Sequence, residues 1–247
     1  MSVLIEVEKL TKSFGPFIAV DDISFTLKRG EVLGFLGPNG AGKTTTMRMI
    51  TGFLSPTKGK ISVCGNDVAE NPIEIKEKIG YVPEGAPLYG EMTVINFLKF
   101  IADVRKIPKN KIDSAIHNAI KKLGLELVLY QQVETLSKGY KRRVGLSQAI
   151  IHDPDVLILD EPTDGLDPNQ KHEVRKLIKE MASTKAIIIS THILEEVDAV
   201  CTRAMIIANG RMVVDKTPKD LLLGAPKGAS LDDVFRTLTI GNLGGIK

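Results

Sequence analysis

The stretch Glu31–Ile50, EVLGFLGPNGAGKTTTMRMI, constrains this chain more than any other. Val32, Leu33, Phe35 and Leu36 read as a buried strand, and TTTMRMITGF follows without a proline, as a helix would. Between them Gly37, Gly42, Lys43 and Thr44 fit the pattern G-x-x-x-x-G-K-[ST], with Pro38, Asn39, Gly40 and Ala41 inside the turn and Thr45 just after it. Glycines let such a loop wrap closely enough for backbone N–H groups to point at phosphate oxygens. The helix start adds its partial positive charge to the same place. Lys43 then supplies a point charge near the outer phosphates, and the Thr44 hydroxyl can reach a magnesium ion. A tight strand-to-helix turn with a surface lysine would share the glycines, but the strand–loop–helix context favours a nucleotide site.

Length and charge narrow the classes around that loop. A chain of 247 residues suits one large domain, or a core with an inserted subdomain. A net charge of +3 is too small to imply a nucleic-acid partner, and the nearest basic run, Lys138 to Arg143, has another use below. Cys64 and Cys201 lack metal-ligand spacing and read as reduced thiols of a cytosolic protein. The start, MSVLIEVEKL, is charged and too short in its apolar run for a signal peptide. No run approaches the roughly 20 apolar residues of a membrane span, so work at a membrane would pass through a partner.

Taken in order, Ser2–Leu10 alternates as a half-buried strand, Phe14 and Phe17 flank a Gly-Pro turn, and DDISFTLKRG reads as a second strand. KISVCG alternates again, Pro72–Lys78 suits a short helix, and Ile79–Val82 a brief strand ending at Pro83-Glu84-Gly85. Helical spacing then takes over. Val94, Phe97, Leu98, Ile101 and Val104 form one set and Ile112, Ala115, Ile116, Ala119, Ile120 and Leu123 another, with Pro108 between them and Gly124 closing the second. This predicts an all-helical insert over 93–136 between core portions 1–92 and 137–220. Helices through Gln148, over Pro168–Ala182 and from near His192 alternate with VLILDEP and AIIIS. Near-continuous apolar strands between helices indicate an α/β fold with a mainly parallel sheet covered on both faces. The tail reads as short antiparallel strands in AMIIANGRMVV and a final helix around Leu231–Leu238, within a terminal segment 221–247.

Val156–Leu159 delivers Asp160 and Glu161 to the C-terminal end of a strand, where ligands bind in open α/β sheets. Asp160 can hold magnesium opposite Thr44, and Glu161 can accept a proton from an attacking water. A solvated strand end would also carry two carboxylates; the phosphate loop elsewhere in the chain argues for the first reading. For His117, His152 and His172 a plain structural role is expected.

With these parts the chain resembles the ATP-binding subunit of ABC transporters over nearly its whole length. Leu136-Ser137-Lys138-Gly139-Tyr140 is similar to the family signature Leu-Ser-Gly-Gly-Gln, Gly165-Leu166-Asp167 to the D-loop, and Ser190-Thr191-His192 to the switch-histidine strand end. The resemblance implies a P-loop NTPase fold: a RecA-like, mainly parallel core sheet, an N-terminal antiparallel β subdomain and an inserted helical subdomain. It implies ATP and Mg2+ as ligands, Phe14 as the adenine-stacking ring and Glu84 at the Q-loop glutamine position. His192 would bond the terminal phosphate. It also implies a head-to-tail dimer in which Ser137 and the unhindered N–H of Gly139 of a second ATPase subunit close on the nucleotide. Integral membrane permease subunits would be driven from the cytoplasmic face of the membrane, with no nucleic acid expected.

Three departures matter: Glu84 for glutamine, Lys138 for the first signature glycine and Tyr140 for the signature glutamine. Glu84 keeps an oxygen for magnesium but loses the amide donor. These features, and the Leu231-Asp232-Asp233-Val234-Phe235 tail, resemble an exporter-type subgroup that includes gliding-motility and multidrug-type ATPases. A groove near Glu84, Tyr89 and Phe97 would carry movement to the membrane subunits. The alternatives are a soluble ABC ATPase acting on nucleic acid or the ribosome, and a regulatory subunit that binds ATP without hydrolysing it.

Overall fold

The protein is described here by a computed structural model covering residues 2–85, 87–223 and 230–240. Alternation along the first strands sorts their faces. In β1 (Val3–Phe14) and β2 (Phe17–Lys28), Ile5, Val7, Leu10, Val20, Ile23 and Leu27 turn inward and are buried. β1 runs past Leu10 to Phe14, because its second half still pairs antiparallel with β2, ending at Phe14 opposite Phe17. Next, β3 (Val32–Leu36) is buried at every position and feeds the phosphate loop and α1 (Lys43–Ile50). The strands β4 (Lys58–Val63) and β5 (Asn66–Asp67) then join the hairpin in a four-stranded antiparallel sheet, β2-β1-β4-β5. A short helix, α2 (Pro72–Lys78), leads into β6 (Ile79–Val82).

The helical segment follows. Thr93 caps α3 (Val94–Val104) by accepting from Asn96 N at 3.4 Å, and α4 (Lys109–Leu123) starts after Pro108 and ends on left-handed Gly124. Two single 3-10 turns, Glu126–Val128 and Val133–Thr135, bring the chain to α5 (Lys138–Ile150). Phe97, Leu98, Ile116 and Leu123 share one core with Val144 and Leu146 of α5 and with Leu157 and Leu159 beneath them. Fully burying side chains of this kind stabilises by about 1.5–3 kcal/mol each. α5 therefore packs on the helical segment and on the sheet at once.

The larger sheet is completed by β7 (Val156–Asp160), α6 (Pro168–Ala182), β8 (Ala186–Thr191), α7 (Leu194–Val200), β9 (Arg203–Ala208) and β10 (Arg211–Lys216). Its order is β10-β9-β3-β8-β7-β6, and every neighbouring pair from β9 to β6 is parallel. The tail strands β9 and β10 pair antiparallel, as the sequence suggests, and β9 in addition lies parallel beside β3, because α7 is a crossover that brings the chain back to the same end of the sheet. The helix expected from near His192 begins at Leu194, since the Thr191 hydroxyl holds Ile193 N at 3.0 Å ahead of the first turn. At the end come α8 (Pro218–Leu223), which crosses the expected boundary at 221, and α9 (Leu231–Ile240). The rest of that expected terminal segment, 224–229 and 241–247, lies outside the described residues. No described helix is long and apolar enough to cross a membrane.

Candidate nucleotide site

Every parallel strand of the larger sheet points its C-terminal end the same way, and a cleft of about 670 Å³ lies there. It is lined by Phe14, Asn39, Gly40, Ala41, Gly42, Lys43, Thr44, Thr45, Glu84, Asp160, Glu161 and His192, which the sequence spreads over 14–192. The loop that carries seven of them is set by its walls. Gly42 has φ 104, and a Cβ there would stand 2.5 Å from Ala19 O; one on Gly37 would stand 2.3 Å from Ile207 O. Backbone cannot give way to a methyl group, so both positions need glycine. The start of α1 has no side-chain cap and no acidic residue in its first turn. Gly37 and Pro38 do not line the cleft; their carbonyls accept from Lys43 Nζ at 2.6 and 3.2 Å. Burial pushes the Lys43 ammonium below the ordinary lysine value, with Glu161, Asp160 and Glu84 opposing the shift.

Across the cleft, the ends of β7 and β8 lock together. Thr44 Oγ1 donates to Asp160 Oδ2 at 3.0 Å, and Ser190 Oγ donates to Asp160 Oδ1. Glu161 N is held by Ser190 O at 3.2 Å and Ser190 Oγ at 3.1 Å. Glu161 itself sits at φ 48, a left-handed conformation costing a non-glycine residue about 1–3 kcal/mol. The turn brings both Glu161 carboxylate oxygens within 3.1 Å of His192 Nδ1. The Glu161 side chain is 13% exposed and that of His192 56%, so the imidazole forms the outer wall. Phe14 is half exposed, and Lys12 Nζ lies 5.2 Å from its ring centroid.

Residues 20–164 match a family model described as ABC transporter. The chain belongs to the family of ABC transporter ATP-binding subunits. It is 38% identical over 223 residues to the ABC transporter ATP-binding protein YhcH of Bacillus subtilis, spanning 89% of this chain and 72% of that one. It is 34% identical over 223 residues to the Nod factor export ATP-binding protein I of Cupriavidus pinatubonensis, with 90% and 69% covered. A solved ATP-binding subunit of an ABC transporter superposes with a TM-score of 0.87 at 31% identity, covering 95% of this chain and 99% of that one. The P-loop α/β fold read from the sequence is the fold of this family.

The ABC signature segment lies elsewhere. Ser137 and Gly139 are not among the cleft-lining residues of their own chain. Ser137 is exposed and caps α5, accepting from Tyr140 N at 3.4 Å. Gly139 is buried, and its bare Cα faces a neighbouring side chain that the sequence reading did not foresee. A Cβ there would meet the Gln170 amide at 2.3 Å, because the start of α5 packs on the start of α6. Gln170 is fixed by a capping box with Asp167. Of the groove expected near Glu84, Tyr89 and Phe97, Phe97 is fully buried, whereas Glu84 and Tyr89 are exposed, the Tyr89 ring lying 6.3 Å from Phe97 and 5.3 Å from Phe100.

Sequence reasoning missed five residues at this site. Phe17, Ala19 and Asp164 line the cleft, and Ser190 holds both carboxylate-bearing residues. Ser190 had a signal, since it sits directly opposite Asp160 where two apolar strands end. Arg142 is the fifth. From α5 its Nε donates to Pro162 O at 2.9 Å and its Nη2 to Asp160 O at 2.8 Å, with a further bond to Glu161 O. Cys64 and Cys201 are free thiols, as expected, and burial raises the Cys201 pKa to about 12.

Proposed function

We propose that this subunit is the ATP-hydrolysing motor of an export complex, acting on separate membrane subunits from the cytoplasm. The observation that carries this is the Glu161 carboxylate, held left-handed at the end of β7 between His192 and the Thr44–Asp160 pair, all on one cleft. Lys43 and the amides at the start of α1 bind the phosphates, and Phe14 offers its ring to the base. Thr44 Oγ1 and Asp160 Oδ2, two hard oxygens 3.0 Å apart, suit a magnesium ion, with Glu84 offering a third. When bound, the ion would neutralise charge on the phosphate oxygens. Glu161 takes the proton of the attacking water as its oxygen bonds the terminal phosphorus and the bond to the bridging oxygen breaks, giving ADP and phosphate. His192 bonds the terminal phosphate and steadies Glu161.

Ser137 and Gly139 lie outside their own chain's cleft, which supports a second copy completing the site. The export direction rests on the likeness to the Nod factor export ATP-binding protein I. No observation on the chain favours the nucleic-acid alternative. The test is Glu161→Gln: hydrolysis falls by about 10²–10⁴-fold, the usual contribution of a general base, while ATP binding persists. The variant should run as an ATP-held dimer on gel filtration. Undiminished turnover would remove Glu161 from its role, and a monomer under saturating ATP and magnesium would sink the shared site.

A further inference from the structure

We infer that Arg142 is a positioning residue that ties the seat of the signature helix to the placement of Glu161 in the same chain. After Asp160 the chain leaves the sheet, so the carbonyls of Asp160, Glu161 and Pro162 lose their ladder partners. All three accept from the one guanidinium of Arg142. Arginine suits this because its planar fork carries five donors in fixed directions, whereas a lysine ammonium is a point charge on a flexible stem. The guanidinium is partly buried, and Asp164, Asp160, Glu161 and Glu84 all act on it. A second contact supports the same docking. Gly139 lies one turn before Arg142 on α5 and packs directly under the Gln170 amide at the start of α6.

Two points on one face of α5 therefore grip both ends of the segment 160–170. A shift of α5 must drag the three carbonyls, and with them the peptide that holds Glu161 left-handed. Arg142 is absent from the cleft lining, so it reaches the reaction only through the segment it holds, which carries Asp160 and Glu161. The proposal rests on the hydrolytic reading above, in which the signature of one chain closes on the nucleotide of the other. It adds a route within one chain by which arrival of that nucleotide at Ser137 reports to the chain's own general base.

The test is single-turnover and steady-state ATP hydrolysis by the full chain carrying Arg142→Gln or Arg142→Lys, alone and with Glu161→Gln. Arg142→Gln should lower kcat roughly tenfold to hundredfold, the scale of a small misplacement of a reacting group, with KM for ATP within about twofold. Arg142→Lys should recover only part of the loss, since an ammonium on a flexible stem lacks the fixed, spread donors of the guanidinium fork. In the Glu161→Gln background, Arg142→Gln should add a much smaller loss, because the general base it positions is gone and only the Asp160 end of the segment is still disturbed. A raised KM with unchanged kcat would overturn the proposal. So would an equal loss in both backgrounds, or wild-type kcat in Arg142→Lys, which also decides the matter if Arg142→Gln does not fold. A wild-type chain that turns over no ATP would remove the hydrolytic reading and this proposal with it. Active wild type with an active Arg142→Gln removes the proposal alone.

Discussion

At the N-terminal ends of β3, β6, β7 and β8, Arg29, His152, Asp153, Asp155 and Lys185 close on one another; at the C-terminal ends, Lys43, Glu84, Asp160, Glu161 and His192 surround a cleft. The residue types are nearly the same. Lys185 and Lys43 are both buried, but Lys185 Nζ meets the Asp153 carboxylate at 2.6 Å and Pro154 O, whereas Lys43 Nζ meets only carbonyls. Arg29 pairs with Asp155 at 2.6 Å, while the carboxylate of Asp160 accepts from the hydroxyls of Thr44 and Ser190. His152 is turned in against Ile79 O at 3.2 Å, while His192 stands out over Glu161. One end of the sheet satisfies its charges internally. The other holds a buried cation against neutral acceptors, an arrangement that an anionic ligand would improve.

Removing the cation at the ligand end should have the largest effect. Lys43→Ala should cost at least about a hundredfold in ATP hydrolysis, the scale of one lost electrostatic donor, with little loss of melting temperature. A variant that unfolds but keeps its rate when folded would break the contrast. Next comes acid titration of the closed end. Burial pulls His152 down to about 4 from 6.5, helped by Arg105. Below pH 6.5 the unfolded chain takes up a proton that the folded chain refuses, so stability falls as pH drops from 6.5 and the loss is complete near 4. Its size is roughly 2–3 kcal/mol. Denaturant unfolding at pH 7 and pH 4.5 should show this loss in the wild type, with His152→Gln losing less by that amount. Equal losses would mean the ring carries no such linkage. Lys185→Met should give the smallest effect, about 1 kcal/mol of stability, because Asp153 is 85% exposed and regains water. Its ATPase rate should stay at the wild-type value; a slower enzyme of unchanged stability would show that the two ends are not separate.

Much of this was readable from the residues. Val32–Leu36, Val156–Asp160 and Ala186–Thr191 are buried at every position, so uninterrupted apolar runs marked the central strands without ambiguity. The sheet partner of β9 was not readable, because the apolar run Ala204–Ala208 records that the strand is buried but not its neighbour or its direction. At the site, Lys43, Thr44, Asp160, Glu161 and His192 converge because each ends or follows a strand of the same sheet. Arg142 left no trace, since its partners are carbonyl oxygens that every residue has. The neighbour of Gly139 was hidden for a related reason: the pattern shows that a side chain is absent, not what lies against the bare backbone.

The position of β3 in the larger sheet bears on how the chain reaches its folded state. Val32 pairs with Ile187 and Leu33 with Arg203, so the strand that carries the phosphate loop is flanked on both sides by segments from near the end of the chain. On a ribosome, the antiparallel β1–β2 hairpin can form early from local contacts, but β3 must wait, apolar at almost every position, until β8 and β9 emerge. Such non-local parallel pairing slows folding and leaves a hydrophobic edge open to association meanwhile. The loop that defines this protein is made well before the strands that seat it.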